Sequence, residues 1–311
     1  MRKISFRLAS HFSVRFVFTG LLACTAGCAL TPLARHTAAF ATATALVVHG
    51  SQDAYRTANR LYFDEQVSSA VLQYDKQPTF DPRSITPLLT TQQMHVRDSL
   101  LDALQRYAEN LDEIENAPGK ATGLDAAAAG VGNNLLAMNT SLRMDFSSAK
   151  GAAMTQTQAN ILSTSVEALG RFLIARKVKR ELPSMIVALD PAIEQICKVF
   201  EVDIATLQSQ AHNDYSQLLS QQDLFIRNPL NKMDAVERRA EIRQLPLILQ
   251  ASRDSDALLT SLKVAIERLA LAHHSLAEAA QGNNPEVLRA RIGDLMSSGQ
   301  QLASFYQTLP K

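Results

Sequence analysis

The sequence predicts an all-α protein, and two observations support this prediction. Apolar residues recur every three or four positions over long stretches, which is the spacing that lines one face of an α-helix. No segment alternates apolar and polar residues for long enough to predict a β-strand. Because each stripe is apolar on one side only and the breaks are short, we predict an elongated antiparallel bundle. It should contain about six long amphipathic helices, some of them kinked by proline.

The predicted helices begin with an amphipathic stretch over residues 53–75. The next helical stretch covers 90–116, where Thr90 and Gln93 form a capping box at its start and the sequence Asn-Ala-Pro-Gly at 116–119 ends it. A third apolar stripe runs through residues 162–173. These three stretches supply the first half of the predicted bundle.

Proline and acidic residues mark the starts of the later helices. Asp190 is predicted to cap a helix that has Pro191 at its first position, where the missing N–H is harmless. Asp234 opens the longest pattern, which Pro246 should kink or split. Pro285 starts the last predicted helix.

The segment 123–154 differs from these helices because it is rich in alanine, glycine and serine. Small residues let helices approach closely, but glycine and serine make weak helices when they are exposed. We predict either a mobile or weakly helical arm or a thin packing helix for this segment.

The N-terminus has the layout of an export signal. Four basic residues and no acid occur in the first fifteen residues, and an uncharged apolar run with small residues follows. This stretch resembles the bacterial lipoprotein signal, in which a cysteine after small residues becomes the acylated N-terminus. Cys28 follows Thr-Ala-Gly and is the favoured position, whereas Cys24 follows Leu-Leu-Ala and is the alternative.

The resemblance divides the chain into a signal peptide (1–27), a lipidated tether (28–50) and a helical-bundle domain (51–311). A multiply acylated cysteine would hold the protein on a membrane. The resemblance further implies the outer membrane, with the protein facing the periplasm or the cell surface, because the residue after Cys28 is not an aspartate. Two other readings stay open: an uncleaved anchor over 16–34, and cleavage without acylation near 38–43.

Composition argues against nucleic-acid binding and against a disulfide-stabilised fold. The chain has 31 basic and 30 acidic residues, and loss of residues 1–27 leaves 27 basic residues and a net charge of −3. This balance does not favour nucleic-acid binding, which needs a basic face. Cys197 would be the only thiol left after processing at Cys28, so no internal disulfide is predicted and a buried apolar role is favoured.

Three side chains form a weak candidate metal or ligand site. His273 continues the apolar stripe of its helix, and His274 lies four residues before Glu278, so these two can share a face. A metal site needs three or four ligands, and this helix offers too few for a metal to be predicted. A packed or surface histidine pair is the favoured interpretation, with no cofactor.

A basic segment is the best candidate for a surface contact, because five basic side chains fall within ten residues. They are Arg171, Arg176, Lys177, Lys179 and Arg180. A basic amphipathic helix can bind an anionic lipid surface or an acidic partner. A solvated helix face near a helix C-terminus is the simpler explanation.

The sequence therefore favours a non-enzymatic, membrane-tethered lipoprotein of the cell envelope. It would act as a scaffold or bind an unknown protein partner through its helices. The alternative is a helical-bundle metal- or ligand-binding protein or enzyme that uses His273, His274 and Glu278.

Overall fold

The computed structural model describes residues 32–74, 81–116, 122–138, 155–175, 179–229 and 231–308. Within these ranges it contains seven α-helices and no β-strand, which confirms the predicted all-α bundle. The helices are α1 (Pro32–Tyr74), α2 (Thr91–Asn116), α3 (Thr122–Met138), α4 (Gln156–Ile174), α5 (Leu182–Arg227), α6 (Ala235–Ala280) and α7 (Pro285–Thr308). Single 3₁₀ turns lie at Pro82–Ser84 and Lys179–Glu181.

Capping side chains set the starts of α2 and α6, as predicted. The amide of Gln93 donates to the hydroxyl of Thr90 at 3.3 Å, and the amide of Thr90 donates to Gln93 Oε1 at 2.7 Å. At α6, the carboxylate of Asp234 accepts from the amides of Val236 and Glu237, and Glu237 accepts from the amide of Asp234 at 3.0 Å. Each pair satisfies backbone N–H groups that a helix start leaves unpaired.

The predicted helix start at Asp190 is wrong, because α5 begins at Leu182 and continues through Pro191. Proline inside a helix costs about 3 kcal/mol. Leu182 and Ile186 are fully buried upstream of it, and full burial of each such side chain contributes about 1.5–3 kcal/mol. This apolar face outweighs the proline. Helix α6 is likewise continuous through Pro246 and is not split there.

The predicted tether over 28–50 extends too far into the bundle. Helix α1 already begins at Pro32, and its Phe40, Ala43 and Val47 are buried in the core. These positions follow helical spacing. Residues 32–50 therefore belong to the helical domain.

Helices α1 and α5 run parallel to each other. The hydroxyl of Tyr55 contacts Asp203 at 2.6 Å, and further along both helices the amide of Gln221 donates to Glu65 at 2.8 Å. Helix α6 follows α5 through a short connection over 228–234 and packs antiparallel to it. At 1.5 Å per residue, these three helices are each about 65–70 Å long.

One hydrophobic core includes buried residues from all seven helices. Helices α3 and α4 approach closely at two glycines, where a Cβ atom added to Gly132 would lie 2.7 Å from the carbonyl oxygen of Gly170. The segment 123–154 was predicted to be either a mobile or weakly helical arm or a thin packing helix, and its residues 123–138 lie in the packing helix α3. Residues 139–154 lie outside the described ranges.

Candidate functional site

Asp190 of α5 links the two consecutive histidines of α6. Its Oδ1 lies 2.8 Å from Nδ1 of His273, and its Oδ2 lies 2.7 Å from Nδ1 of His274. Both histidines therefore point the same ring nitrogen at one carboxylate. The pair was identified in the sequence as packed or exposed histidines, but the role of Asp190 was missed because it was assigned to a helix cap.

The chain of hydrogen bonds extends into the core. His273 is fully buried, and its Nε2 lies 2.6 Å from the hydroxyl of Tyr107 in α2. A carboxylate can only accept, so His273 donates from Nδ1 and its Nε2 accepts from the tyrosine. The Tyr107 ring packs edge-on against Phe172 of α4, with 5.0 Å between ring centroids. One polar chain thus joins α2, α5 and α6.

The environment moves the pKa values of these groups in different directions. Burial lowers the pKa of His273, although the hydrogen bond and charge of Asp190 oppose this effect. The hydrogen bond to Asp190 raises the pKa of the exposed His274. Burial acts to raise the pKa of Asp190, but the two histidines outweigh it and the pKa is lowered. Burial also raises the pKa of Tyr107 well above its usual value. At neutral pH the inner histidine is therefore neutral and the carboxylate is charged.

The order tyrosine, histidine and aspartate matches that of a nucleophile, a base and an orienting acid. The hydroxyl-bearing Tyr107, however, is only 1% exposed. A substrate has no access to it in this structure, and its raised pKa opposes formation of a phenolate. The geometry fits a structural link better than a catalytic one.

Among the four hydrogen-bonded residues Tyr107, His273, Asp190 and His274, only His274 is largely exposed. It borders a groove of about 380 Å³ between α5 and α6. The groove is lined by Asp190, Glu194, Lys198, Glu201, Glu267, Ala270, Leu271 and His274. Most of its ionisable side chains are acidic, and the nearby charge of Glu267 adds to burial in raising the pKa of Glu201.

The candidate metal ligands do not converge on one point. Both ring nitrogens of His273 are engaged by protein groups, while Nε2 of His274 lies 4.0 Å from Glu278 Oε1. Within the described residues, no group of three or more His, Cys, Asp or Glu side chains could hold a metal ion.

A second buried polar cluster was not predicted from the sequence. Arg97 of α2 is fully buried and donates from Nε and from one terminal nitrogen to the two oxygens of Asp203, each at 2.7 Å. The Tyr55 hydroxyl contacts the same carboxylate, and its ring lies 5.5 Å from the guanidinium carbon. Arg97 lies four residues after the buried Gln93, on the apolar face of α2, and this placement is the signal that could have revealed it.

Each basic residue of the predicted contact patch that the structure describes lies near an acid. Arg171 pairs with Glu167, Lys179 contacts Glu115, and Arg180 lies 4.0 Å from Glu181. Lys179 also donates to the backbone carbonyl of Glu115 in the last turn of α2, at 2.8 Å. Helix α4 ends at Ile174, so the patch is not one amphipathic helix. Arg176 and Lys177 lie outside the described ranges.

The most exposed apolar surface lies at one end of the helical domain. We call this end the tip and define it as residues 61–74 of α1, 212–227 of α5 and 235–257 of α6. In residues 235–257 no side chain is buried, whereas the following half of α6 lies in the core. Eight of the fourteen large hydrophobic side chains that the described residues expose belong to the tip. They are Phe63, Val71, Tyr74, Leu224, Val236, Ile242, Leu247 and Leu249.

Cys24 and Cys28 lie outside the described ranges. Among the helices in the described part of the chain, none is long and apolar enough to cross a membrane. Comparisons of the chain with protein-family models, with curated proteins and with solved structures find no similar protein.

Proposed function

We propose that the protein is an exported lipoprotein of the cell envelope, acylated at Cys28 or alternatively at Cys24. Its helical bundle acts as a non-enzymatic scaffold that binds another protein chain. The acyl group would hold it at the outer membrane, facing the periplasm or the cell surface. The signal-like N-terminus supports the location, and the exposed apolar tip supports the binding role.

The tip is the single observation that favours binding over catalysis. Eight large hydrophobic side chains are exposed in the tip, and exposed apolar residues gathered in one region commonly mark interaction sites. Val236 is 76% exposed and Leu247 is 60% exposed, although the same chain buries leucines completely elsewhere. The buried side chains of the two polar clusters, by contrast, have internal partners, and Tyr107, His273 and Arg97 are closed to a substrate.

Processing of the precursor tests the anchor. Globomycin should cause the unprocessed precursor to accumulate, and mass spectrometry should find the acyl group on Cys28. A Cys28→Ser variant should lose acylation, while the matched Cys24→Ser variant should keep it. Unchanged processing in globomycin together with bare thiols at both positions would contradict the proposal.

The second candidate function is metal or ligand binding beside His274, because this side chain and Glu278 both reach solvent next to the acidic groove. Metal analysis of the purified protein separates the two candidates. Stoichiometric zinc or iron that is lost in a His274→Ala variant would favour the second candidate over the scaffold.

A further inference from the structure

Asp190 carries one negative charge but accepts hydrogen bonds from two histidines. Its Oδ1 lies 2.8 Å from Nδ1 of His273, and its Oδ2 lies 2.7 Å from Nδ1 of His274. The side chain of His274 is 61% exposed, so this ring can carry a proton while it stays in contact with water. Asp190 then balances the charge of His274. A proton on His273 as well would place two positive rings beside one carboxylate.

The second proton would have to be placed in the core. The ring of His273 is fully buried, and the rings of Phe40 and Tyr107 lie 6.1 and 5.4 Å from it, measured between centroids. A protonated histidine donates from both nitrogens, so its Nε2 could no longer accept from the hydroxyl of Tyr107. That buried O–H group would lose its acceptor, which adds to the cost of an unbalanced buried charge. Acid therefore weakens the contact of α6 with α2 and α5 at this point.

The other charged groups around the histidine pair do not remove this cost. The ionisable side chains that act on the pair come from three helices, and they are Tyr107 of α2, Asp190 and Glu194 of α5, and Glu278 of α6. The carboxylates of Glu194 and Glu278 act on His274 at the surface and favour its protonated form. The charge of His274 in turn opposes a proton on His273. From α1 the neighbour of His273 is the uncharged ring of Phe40.

We propose that Tyr107, His273, Asp190 and His274 form an acid-sensitive latch. With one proton on its histidines, the latch holds residues 258–280 of α6 against α2 and α5, and a second proton releases them. Because His273 is sealed in the core, it can carry a charge only where its ring reaches water, so uptake of the second proton is coupled to opening. The latch is a two-state element of the kind that pH sensors use.

The two histidines respond to pH in opposite directions. Burial lowers the pKa of His273 below its ordinary 6.5, so its contribution to stability is complete above pH 6.5 and is lost as the pH falls through the folded value. The hydrogen bond to Asp190 raises the pKa of His274, so its contribution is complete below pH 6.5 and is lost as the pH rises through the folded value. The latch should therefore be tightest at about pH 6.5.

Cys197 supplies an internal reporter for the latch. It is fully buried and lies seven residues after Asp190, about 10 Å along the same face of α5. It is the only cysteine in the chain from residue 29, and this chain contains every buried core residue from Phe40 to Leu302. A dipyridyl disulfide labels the thiol when the helices open. The labelling rate of the folded protein, divided by that of the urea-unfolded protein at the same pH, measures the opening.

The relative labelling rate of Cys197 should be lowest at about pH 6.5 and about threefold or more higher at about pH 5. Glutamine can keep hydrogen bonds to Tyr107 and Asp190 but takes up no proton in this range, so His273→Gln should abolish the acid rise. His274→Gln should keep the acid rise and abolish the rise at alkaline pH. Asp190→Asn removes the charge that the two rings share, so the acid rise should become steeper and the alkaline rise should disappear.

A buried cysteine far from the latch distinguishes local opening from unfolding of the whole domain. Ala211 is buried on α5, fourteen residues or about 21 Å beyond Cys197, and Ala211→Cys in a Cys197→Ala background is the matched control. Its acid rise should be smaller than that of Cys197. Glu201 lies close to Cys197, but its raised pKa means that the folded state takes up its proton more readily, so its titration opposes acid opening.

All rates are measured with a chelator present, so that a bound metal cannot produce the pH profile. A flat acid profile at Cys197, an equal acid rise at both cysteines, or an unchanged acid rise in His273→Gln would each overturn the latch. If His273→Gln does not fold, an unchanged profile in Asp190→Asn would overturn it instead.

Discussion

Replacing Arg97 by methionine should destabilise the protein by about 3–5 kcal/mol, because it leaves a buried carboxylate without its cation. The side chain of Arg97 is fully buried and that of Asp203 is 9% exposed. Methionine fills a similar length of the site but cannot donate a hydrogen bond. The carboxylate would keep only the hydroxyl of Tyr55 as a donor in this cluster.

The magnitude follows from the two hydrogen bonds to Asp203 that the substitution removes. Both are 2.7 Å long and join charged groups, and each such bond contributes about 1.5–3 kcal/mol. Burial alone would lower the pKa of Arg97, but the hydrogen bonds and charge of Asp203 raise it overall. The guanidinium therefore stays charged in the core, so the Arg97→Met variant loses the whole charged interaction with Asp203.

Removing both charges should cost much less than removing one. In an Arg97→Met/Asp203→Leu double variant no buried charge remains, and apolar replacement of a buried pair is often neutral. The unpaired hydroxyl of Tyr55 still costs about 1–3 kcal/mol, so the double variant should lie between the wild type and Arg97→Met. Adding Tyr55→Phe should recover most of that remainder.

Urea unfolding of the chain from residue 29, followed by circular dichroism at 222 nm, measures these differences. An Arg97→Met variant that loses less than about 1 kcal/mol would refute the reasoning about an unpaired buried charge. So would a double variant that is as unstable as the single one.

Three further substitutions test other contacts in the same assay. Tyr107→Phe should cost about 1–3 kcal/mol, because it leaves the buried Nε2 of His273 without a donor. The raised pKa of His274 contributes stability that is present below its unfolded value near 6.5 and is lost as the pH rises through the folded pKa. His274→Ala should therefore lower the free energy of unfolding more at about pH 5.5 than at about pH 8.5. Gly132→Ala should cost about 1–3 kcal/mol, because the new methyl group would meet the backbone of α4. The control Gly130→Ala has open space on the same helix and should stabilise by up to about 1 kcal/mol.

For each of these three substitutions, one result of the unfolding measurement would contradict the expected effect. A neutral Tyr107→Phe variant would show that the inner histidine has another donor. If the destabilisation by His274→Ala grew as the pH rises, protonated His274 would not be the form that stabilises the fold. Equal effects of alanine at Gly132 and at Gly130 would show that α3 and α4 do not meet at the glycine.

Local sequence signals predicted the helices well because capping and amphipathic spacing act within a few residues. The box at Thr90 and Gln93 and the start at Asp234 are formed as expected. The prediction failed at Asp190 and Pro191, where the cap signal is local but the deciding energy is not. Burial of the preceding turns against other helices overrides the proline, and tertiary packing of this kind has no signature in a short window.

In the candidate sites, too, local features could be predicted from the sequence and distant contacts could not. The histidine pair was predicted to be packed or exposed, with His273 continuing an apolar stripe, and His273 is fully buried. Its partners Tyr107 and Asp190 lie 166 and 83 residues away in the chain, and nothing in the local sequence connects them. Arg97 and Asp203 are separated by 106 residues in the same way. Contacts at such distances depend on how the helices are placed, which periodicity alone does not fix.

The two buried clusters explain how long helices with similar apolar faces keep one register. Asp190 and Asp203 are thirteen residues apart on α5, or about 20 Å. A slip of one helical turn between α5 and its neighbours would preserve many leucine and alanine contacts. It would, however, leave both carboxylates and the buried Arg97 without partners, at a cost of several kcal/mol each. The tip lies beyond both clusters and contains no buried side chain in residues 235–257. The exposed apolar side chains of residues 235–257 therefore add little to this fold, and they are the basis of the proposed binding of another chain.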